Sequence, residues 1–412
     1  MSTLCILGRQ PAIGLAELEA LYGYEHSIPV GATAALVDTD VNFRRLGGTV
    51  KAAAHLDTID STNPQKAFDY CRKRLPDYLT DFPDGKIKLG ASLYGFDMPV
   101  ARINANVLTL KKTIRNLGRS VRALPNTEPA LTSAQSYHNS VTSPVGLEFV
   151  FVLDGSRTHI GRVTEVQDID SYTLRDRGRP KRDAFVGMLP PKLAQVIVNL
   201  ARGRWHVEDG TSHLANSHVI LDPFCGTGVI LQEAVLMGYD VYGTDISQKM
   251  IDYSRTNLEW LQKLESLKVR KFESKLEVAD ATSYTWDFPK IHPPAGGPKS
   301  KIYSVACESF LGRPIAGQHI SEEQIREIIH DCNTIMRGFL RNIAPQIAPG
   351  TRLCIAAPAW YINDTTHHLP VIAELAGLGY QRVAFHHAHD AALIYRRDDQ
   401  PVGRELLVLV RT

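Results

Sequence analysis

Val219-Ile-Leu-Asp-Pro-Phe-Cys-Gly-Thr-Gly228 is an apolar run that ends in an acid and turns through two glycines into the helix-like Thr227–Met237, which Gly238 closes. Glycines at such a turn let a ligand approach the backbone, and a helix N-terminus adds free N–H groups and the positive end of a dipole. Asp245 closes the next apolar segment, Val241–Thr244, roughly 20 residues beyond the first acid, where a carboxylate can accept both hydroxyl protons of a ribose. Asp280 ends a third such segment, Leu276–Ala279. Each acid alone is more simply a helix cap or a turn. Three acids at three successive strand ends describe a nucleoside cradle along the carboxyl edge of a parallel sheet.

The pattern around these segments extends the reading in both directions. Ser247 is placed to cap a helix over Ser247–Leu261, Ile302–Ala306 and Arg352–Ala357 are strand-like, and Ser321 with Gln324 forms a capping box. Behind that box, Ile325, Ile328, Ile329, Cys332, Ile335, Met336, Phe339 and Leu340 keep helical spacing. Ala392–Arg396 and Glu405–Val410, joined through Asp398–Gly403, read as a hairpin. Strand–helix alternation of this length predicts a doubly wound, mostly parallel α/β sheet, Rossmann-like, over 171–412. The weaker Gly/Pro-rich break at Pro289–Pro298 falls inside it.

The preceding residues read as smaller α+β units. Leu4–Gly23 is a strand, a turn and a helix with Leu15, Leu18 and Leu21 at helical spacing; strands are expected at Ala34–Asp38, Val50–Ala54 and Lys86–Leu93, and a helix at Pro64–Leu79. The chain of 412 residues is long enough for two or three domains. Its 46 Lys+Arg against 44 Asp+Glu leave a net charge of +2, so a polyanion site has to be a local patch. Two such patches stand out. No acid occurs between Asp97 and Glu128, where Lys111, Lys112, Arg115, Arg119 and Arg122 fall. On one helix Lys111, Arg115, Arg119 and Arg122 would share a face, a phosphate-contact stripe or a merely solvated one. The second is a loop, Arg175-Asp-Arg-Gly-Arg-Pro-Lys-Arg-Asp183, carrying Arg175, Arg177, Arg179, Lys181 and Arg182.

Several classes are set aside. No apolar run is long enough to span a bilayer and no signal-peptide pattern opens the chain, so a cytoplasmic protein is expected. The cysteines Cys5, Cys71, Cys225, Cys307, Cys332 and Cys354 are scattered, without CxxC or a nearby His in ligand spacing, which speaks against a disulfide scaffold or a metal site. A nicotinamide dinucleotide fits the cradle poorly: GxGxxG is absent, and Asp222 would repel phosphates while suiting a ligand that carries an ammonium and a sulfonium, such as S-adenosylmethionine.

The acceptor side lies in Ser304-Val-Ala-Cys-Glu-Ser-Phe-Leu-Gly-Arg-Pro314, where a strand empties into a polar and aromatic turn. A carboxylate there can accept a hydrogen bond from an exocyclic base amine, and a ring can stack on the base; Glu308, Ser309 and Phe310 are the catalytic candidates. A capping Glu and a core Phe are the structural alternative.

With these residues in view, the chain resembles the THUMP-containing RNA methyltransferases, and most closely those acting on the exocyclic N2 of guanosine 10 in tRNA. The resemblance is carried by Leu7-Gly-Arg-Gln-Pro-Ala-Ile-Gly-Leu-Ala-Glu-Leu-Glu19, Lys88-Leu-Gly-Ala-Ser92 through Gly118-Arg-Ser-Val-Arg122 to Glu148, Gly187-Met-Leu-Pro-Pro-Lys-Leu-Ala-Gln195 and Asp222–Gly228. It implies an N-terminal ferredoxin-like segment at 1–65, a THUMP-like RNA-binding domain at 66–170 and a methyltransferase domain at 171–412. It also implies tRNA as partner, and S-adenosylmethionine held by Asp222, Pro223, Phe224, Gly226, Thr227, Gly228, Asp245, Ile246, Asp280 and Ala281. Whether a small activating subunit takes part, and the oligomeric state, stay open. The family's acceptor motif Asp-Pro-Pro-Tyr is replaced by Glu308-Ser-Phe-Leu-Gly312. A methyltransferase for an exocyclic base amine is therefore the leading expectation. The alternative is an RNA-binding scaffold or tRNA chaperone with weakened catalysis that keeps the fold.

Overall fold

The computed structural model describes residues 2–80, 82–183, 188–203, 218–267, 269–287, 304–313, 322–362, 365–397 and 400–412. The chain divides into two compact units, Met1–Asp170 and Ser171–Thr412.

The first unit is built on one eight-stranded sheet. Its strands are β1 (Thr3–Leu7), β2 (Ser27–Val30), β3 (Ala34–Val37), β4 (Thr49–Ile59), β5 (Ile87–Tyr94), β6 (Val121–Ala123), β7 (Gly146–Asp154) and β8 (Arg157–Val166), in the order β2-β3-β1-β4-β8-β7-β5-β6. The strands on either side of residue 65 thus share one sheet, β4 pairing antiparallel with β8. The helices are α1 (Pro11–Tyr22), α2 (Pro64–Leu79), α3 (Val100–Asn116) and the short α4 (Ser133–His138). Their apolar stripes account for the packing: Phe68, Cys71 and Leu75 of α2 and Ile103, Val107, Leu110 and Ile114 of α3 are buried with Leu89, Phe149 and Phe151 of β5 and β7. A buried ion pair within this unit is well supplied with partners. Lys51 Nζ donates to Glu148 Oε1 at 2.5 Å and to the Leu131 carbonyl at 2.8 Å, while Ser92 and Ser136 donate to the two Glu148 oxygens at 2.6 and 2.7 Å. Buried charges persist where the remaining hydrogen-bonding positions are met in this way.

The basic stripe expected along one helix needs correction. The helix α3 ends at Asn116 and Gly118 follows with φ +80°, so Arg119 lies in a turn and Arg122 on β6. Arg119 caps backbone instead of facing outward, donating to the carbonyls of Phe82 at 3.2 Å and Pro83 at 2.5 Å. Lys112, Arg115 and Arg122 are exposed and Lys111 is half-buried.

The second unit carries β9 (Val219–Asp222), β10 (Asp240–Asp245), β11 (Ser274–Val278), β12 (Ser304–Glu308), β13 (Arg352–Ile362), β14 (Thr365–His367), β15 (Tyr380–Arg382), β16 (Ile394–Tyr395) and β17 (Val402–Arg411). The order is β11-β10-β9-β12-β13-β17-β15, with β14 beside β13 and β16 beside β17. From β11 to β13 every pairing is parallel, whereas β17 runs antiparallel to both β13 and β15. The expected pairing of 392–396 with 405–410 is present as β16 against β17, but the main partner of β17 is β13. Its connecting residues 398–399, Ser321 of the expected capping box and the Pro289–Pro298 break lie outside the described residues.

The helices of this unit are α5 (Ile169–Arg177), which begins two residues before it, α6 (Pro191–Arg202), α7 (Val229–Leu236), α8 (Gln248–Lys263) and α9 (Glu322–Ile343). The segment read as a basic loop from Arg175 therefore starts as the end of α5. Ile325, Cys332, Met336, Phe339 and Leu340 of α9 are buried on the sheet with Leu221, Val305, Leu353, Ile355 and Leu407, as their 3/4 spacing requires. Among the described residues no helix is long and apolar enough to cross a membrane, and the six cysteines are buried and unpaired with one another.

Candidate functional site

Parallel pairing brings the ends of β9, β10, β11 and β12 to one edge, which collects the acids read from the sequence. The register sets Gly243 against Asp222 and Asp245 against Val278. After β9 the chain turns through Gly226 (φ +51°) and Gly228 (φ +80°), left-handed conformations that glycine adopts without the penalty of a Cβ. The two glycines differ. A Cβ on Gly228 would lie 2.8 Å from Ser254 Oγ, whereas one on Gly226 would project into open space with only a carbonyl oxygen 4.0 Å away. Gly226 is thus where a ligand can meet backbone.

Hydrogen bonds hold the loop from three sides. Asp245 Oδ2 accepts the Gly226 N–H at 3.0 Å, and its Oδ1 accepts the Ser247 N–H at 2.9 Å. Ser247 is at the N-cap of α8, but its side chain makes no capping bond; Asp245 Oδ1 holds the N–H of this N-cap residue. Ser254 Oγ donates to the Gly226 carbonyl at 2.8 Å, and Asn257 Nδ2 to the carbonyls of Thr227 and Lys181 at 2.9 Å each. Sequence reading missed Ser254 and Asn257, whose only signal is polarity on the buried side of α8.

Asp222 is 2% exposed, and its Oδ1 accepts the Phe224 N–H at 3.1 Å. Burial pushes its carboxyl well above the usual carboxylate range; the Phe224 N–H opposes this, and the charges of Asp245 and Glu308 push further the same way. Asp245 is raised by burial against its two backbone N–H bonds. A buried carboxyl that two neighbouring acids push further up is a site that a cation would stabilise.

The remaining cofactor candidates divide. Ile246 is 73% exposed beside Asp245, while Pro223 and Ala281 are buried and Phe224 packs edge-on against Phe339 at 5.2 Å. Thr227 is half-buried, with its carbonyl held by Asn257. Asp280 is exposed and closes a turn, its Oδ1 accepting the Thr282 N–H at 2.9 Å and the Thr282 hydroxyl at 2.7 Å. That is the turn role the sequence offered as the simpler reading for any one acid. Its second oxygen is not used in that turn.

On the acceptor side, Glu308 ends β12 and Ser309 continues backbone pairing through its N–H to the Ala356 carbonyl at 3.1 Å. Phe310 is 40% exposed, so it is not a core ring. Glu308 is not a helix cap either: its Oε1 accepts from Arg404 Nε of β17. Burial raises the Glu308 carboxyl and Arg404 lowers it. Nothing in the spacing pointed to Arg404, which lies 96 residues away.

The second basic cluster is not the exposed loop expected. Arg175 is buried on α5 and donates from Nε to Glu233 at 2.7 Å, and Arg179 is buried too, its guanidinium without a hydrogen-bond partner among the described residues. Arg177 and Arg182 are exposed and Lys181 is half-buried. Burial and an acidic partner put Arg175 against α7 instead of on a surface.

Residues 179–284 match the UPF0020 family model, described as RMKL-like, methyltransferase domain. Over 137 residues the chain is 34% identical to the tRNA (guanine(10)-N2)-dimethyltransferase of Methanocaldococcus jannaschii, covering 33% of this chain and 35% of that one. Over 72 residues it is 43% identical to the enzyme of the same name from Pyrococcus abyssi, covering 18% of each. The chain therefore matches about a third or less of the length of these relatives. The crystal structure of TrmN from Thermus thermophilus aligns over 100% of both chains with a TM-score of 0.52 and 16% identity, a likeness of fold. The glycine loop and the acids of the edge up to Asp280 thus lie within a segment that matches a methyltransferase domain.

Proposed function

We propose that the protein is an S-adenosylmethionine-dependent methyltransferase acting on the exocyclic N2 amine of a guanosine in tRNA. The observation that carries the reading is the Gly226 loop, open on its ligand side and tied to Asp245, within a segment that matches a methyltransferase domain. The names of the partial relatives support the choice of tRNA and of guanine N2.

The bound donor supplies an electrophilic methyl group on a sulfonium. Asp222 faces its ammonium, a cation that favours the ionised form of this otherwise raised carboxyl. Asp245 keeps one lone pair on each oxygen for ribose hydroxyls while holding the loop. Asp280 presents its second oxygen to the adenine amine, Ile246 offers apolar contact to the base, and Gly226 admits the donor to the backbone. Glu308 accepts from the target amine and Phe310 stacks on the target base. In the first unit, the THUMP-like reading of 66–170 makes Lys111, Lys112, Arg115 and Arg122 contacts to tRNA phosphates, beside the ferredoxin-like 1–65; Arg177, Lys181 and Arg182 serve the same end in the second.

Incubation with labelled donor and unmodified tRNA, followed by digestion to nucleosides, tests this. The expected result is label in N2-methylguanosine that is absent with Glu308→Ala. Donor and tRNA binding without a labelled nucleoside would establish the scaffold or chaperone reading instead.

A further inference from the structure

Glu308 and Arg404 meet at the acceptor edge although they belong to strands that do not pair. In the register, Glu308 lies opposite Ala356 of β13, and Pro358, two residues on and hence on the same side, lies opposite Arg404. Ala356 is small and completely buried, so the Arg404 side chain can pass over β13 to the end of β12. Only 9% of the Arg404 side chain and 16% of the Glu308 side chain are exposed, and the contact runs from Nε to Oε1. The Nε donor of a planar guanidinium points in a fixed direction, so its bond to Oε1 restrains where the carboxylate sits. Among the described residues nothing donates to the second oxygen, Oε2, which leaves it for another donor.

We infer that Arg404 is the positioning residue of the acceptor site, holding Glu308 so that Oε2 takes one hydrogen of the target amine. The pair does here what a stiff proline turn would do by backbone geometry. In the transfer, the amine lone pair forms the new N–C bond, the S–C bond breaks with its electrons remaining on sulfur, and one amine proton leaves to solvent. Glu308 aligns the lone pair, and Arg404 keeps the carboxylate ionised next to Asp222. Arg404 on β17 is the charged group that bears on Glu308, whose own charge in turn raises Asp222 on β9 and Cys307 beside it. This inference rests on the methyltransferase reading.

Steady-state methylation of tRNA across pH by the parent, Arg404→Met and Arg404→Lys, with calorimetric donor titration of each, decides it. Arg404→Met should lower kcat about 100-fold, the scale of a misplaced catalytic group. Its donor Kd should be unchanged and its acid limb should move to higher pH, because Glu308 loses its cation. Arg404→Lys restores charge but not the fixed direction of the donor, so its acid limb returns to that of the parent while kcat recovers only in part. Should Arg404→Met fail to fold, Arg404→Lys alone decides through a reduced kcat at parental donor Kd. Parental kcat and acid limb in the variants would overturn the role of Arg404, as would a proportionate loss of donor binding. A parent that methylates no nucleoside would instead overturn the underlying reading.

Discussion

Asp245 and Gly226 are joined by a 3.0 Å hydrogen bond from the glycine N–H to Oδ2, while the other oxygen of the same carboxylate accepts from Ser247 at 2.9 Å. One side chain therefore ties the glycine loop to the residue that precedes the next helix. Asp245→Asn leaves one acceptor oxygen for two N–H donors and turns an amide N–H₂ toward the other. Donor affinity should fall about 10- to 100-fold, equivalent to roughly 1.5–3 kcal/mol for a hydrogen bond to a charged group. Calorimetric titration with donor checks it; an unaltered Kd would break the link between Asp245 and the loop.

Asp222 should oppose stability while serving binding. Its carboxyl is raised in the folded protein, so the fold holds a proton there that the unfolded chain has released; this contribution is present at acid pH and lost as pH rises through the raised value. At neutral pH, Asp222→Asn should therefore raise stability in urea unfolding. Donor affinity of the parent should fall as pH drops through the same range, and in Asp222→Asn it should be weak at every pH.

The two loop glycines should separate in their effects. Alanine at Gly228 meets Ser254 Oγ at 2.8 Å, the hydroxyl that also holds the Gly226 carbonyl, so Gly228→Ala should lower the unfolding free energy by more than the roughly 1–2 kcal/mol of a left-handed residue. Gly226→Ala has the same backbone cost but no clash. Its greater effect should be on donor binding, and equal donor affinities in the two folded variants would show that Gly226 does not face the ligand.

Basic residues should sort by exposure. Lys112→Glu with Arg115→Glu should weaken tRNA binding and reduce the slope of log K against log salt by about 0.7–0.9 for each phosphate no longer neutralised. Arg175→Met should leave that slope intact and cost about 3 kcal/mol or more of stability, because Glu233 is left buried without its cation. Salt titrations and urea melts of the same proteins distinguish the two.

Much of the second unit was legible in the sequence. Apolar runs ending in Asp222, Asp245 and Asp280, a glycine turn and the 3/4 spacing of Ile325 to Leu340 are local signals, set by strand and helix periodicity within one segment. Acids at parallel strand ends had to converge, because parallel pairing puts all those ends on one edge. Tertiary structure decided what those residues face. Arg119 donates to the Phe82 and Pro83 carbonyls, Arg175 pairs with Glu233 and Glu308 with Arg404; these pairings join residues 36 to 96 positions apart. Sequence showed charge and period along the chain, whereas burial and partner follow from chain reversal and sheet register, which bring together side chains whose separation carries no periodic signal.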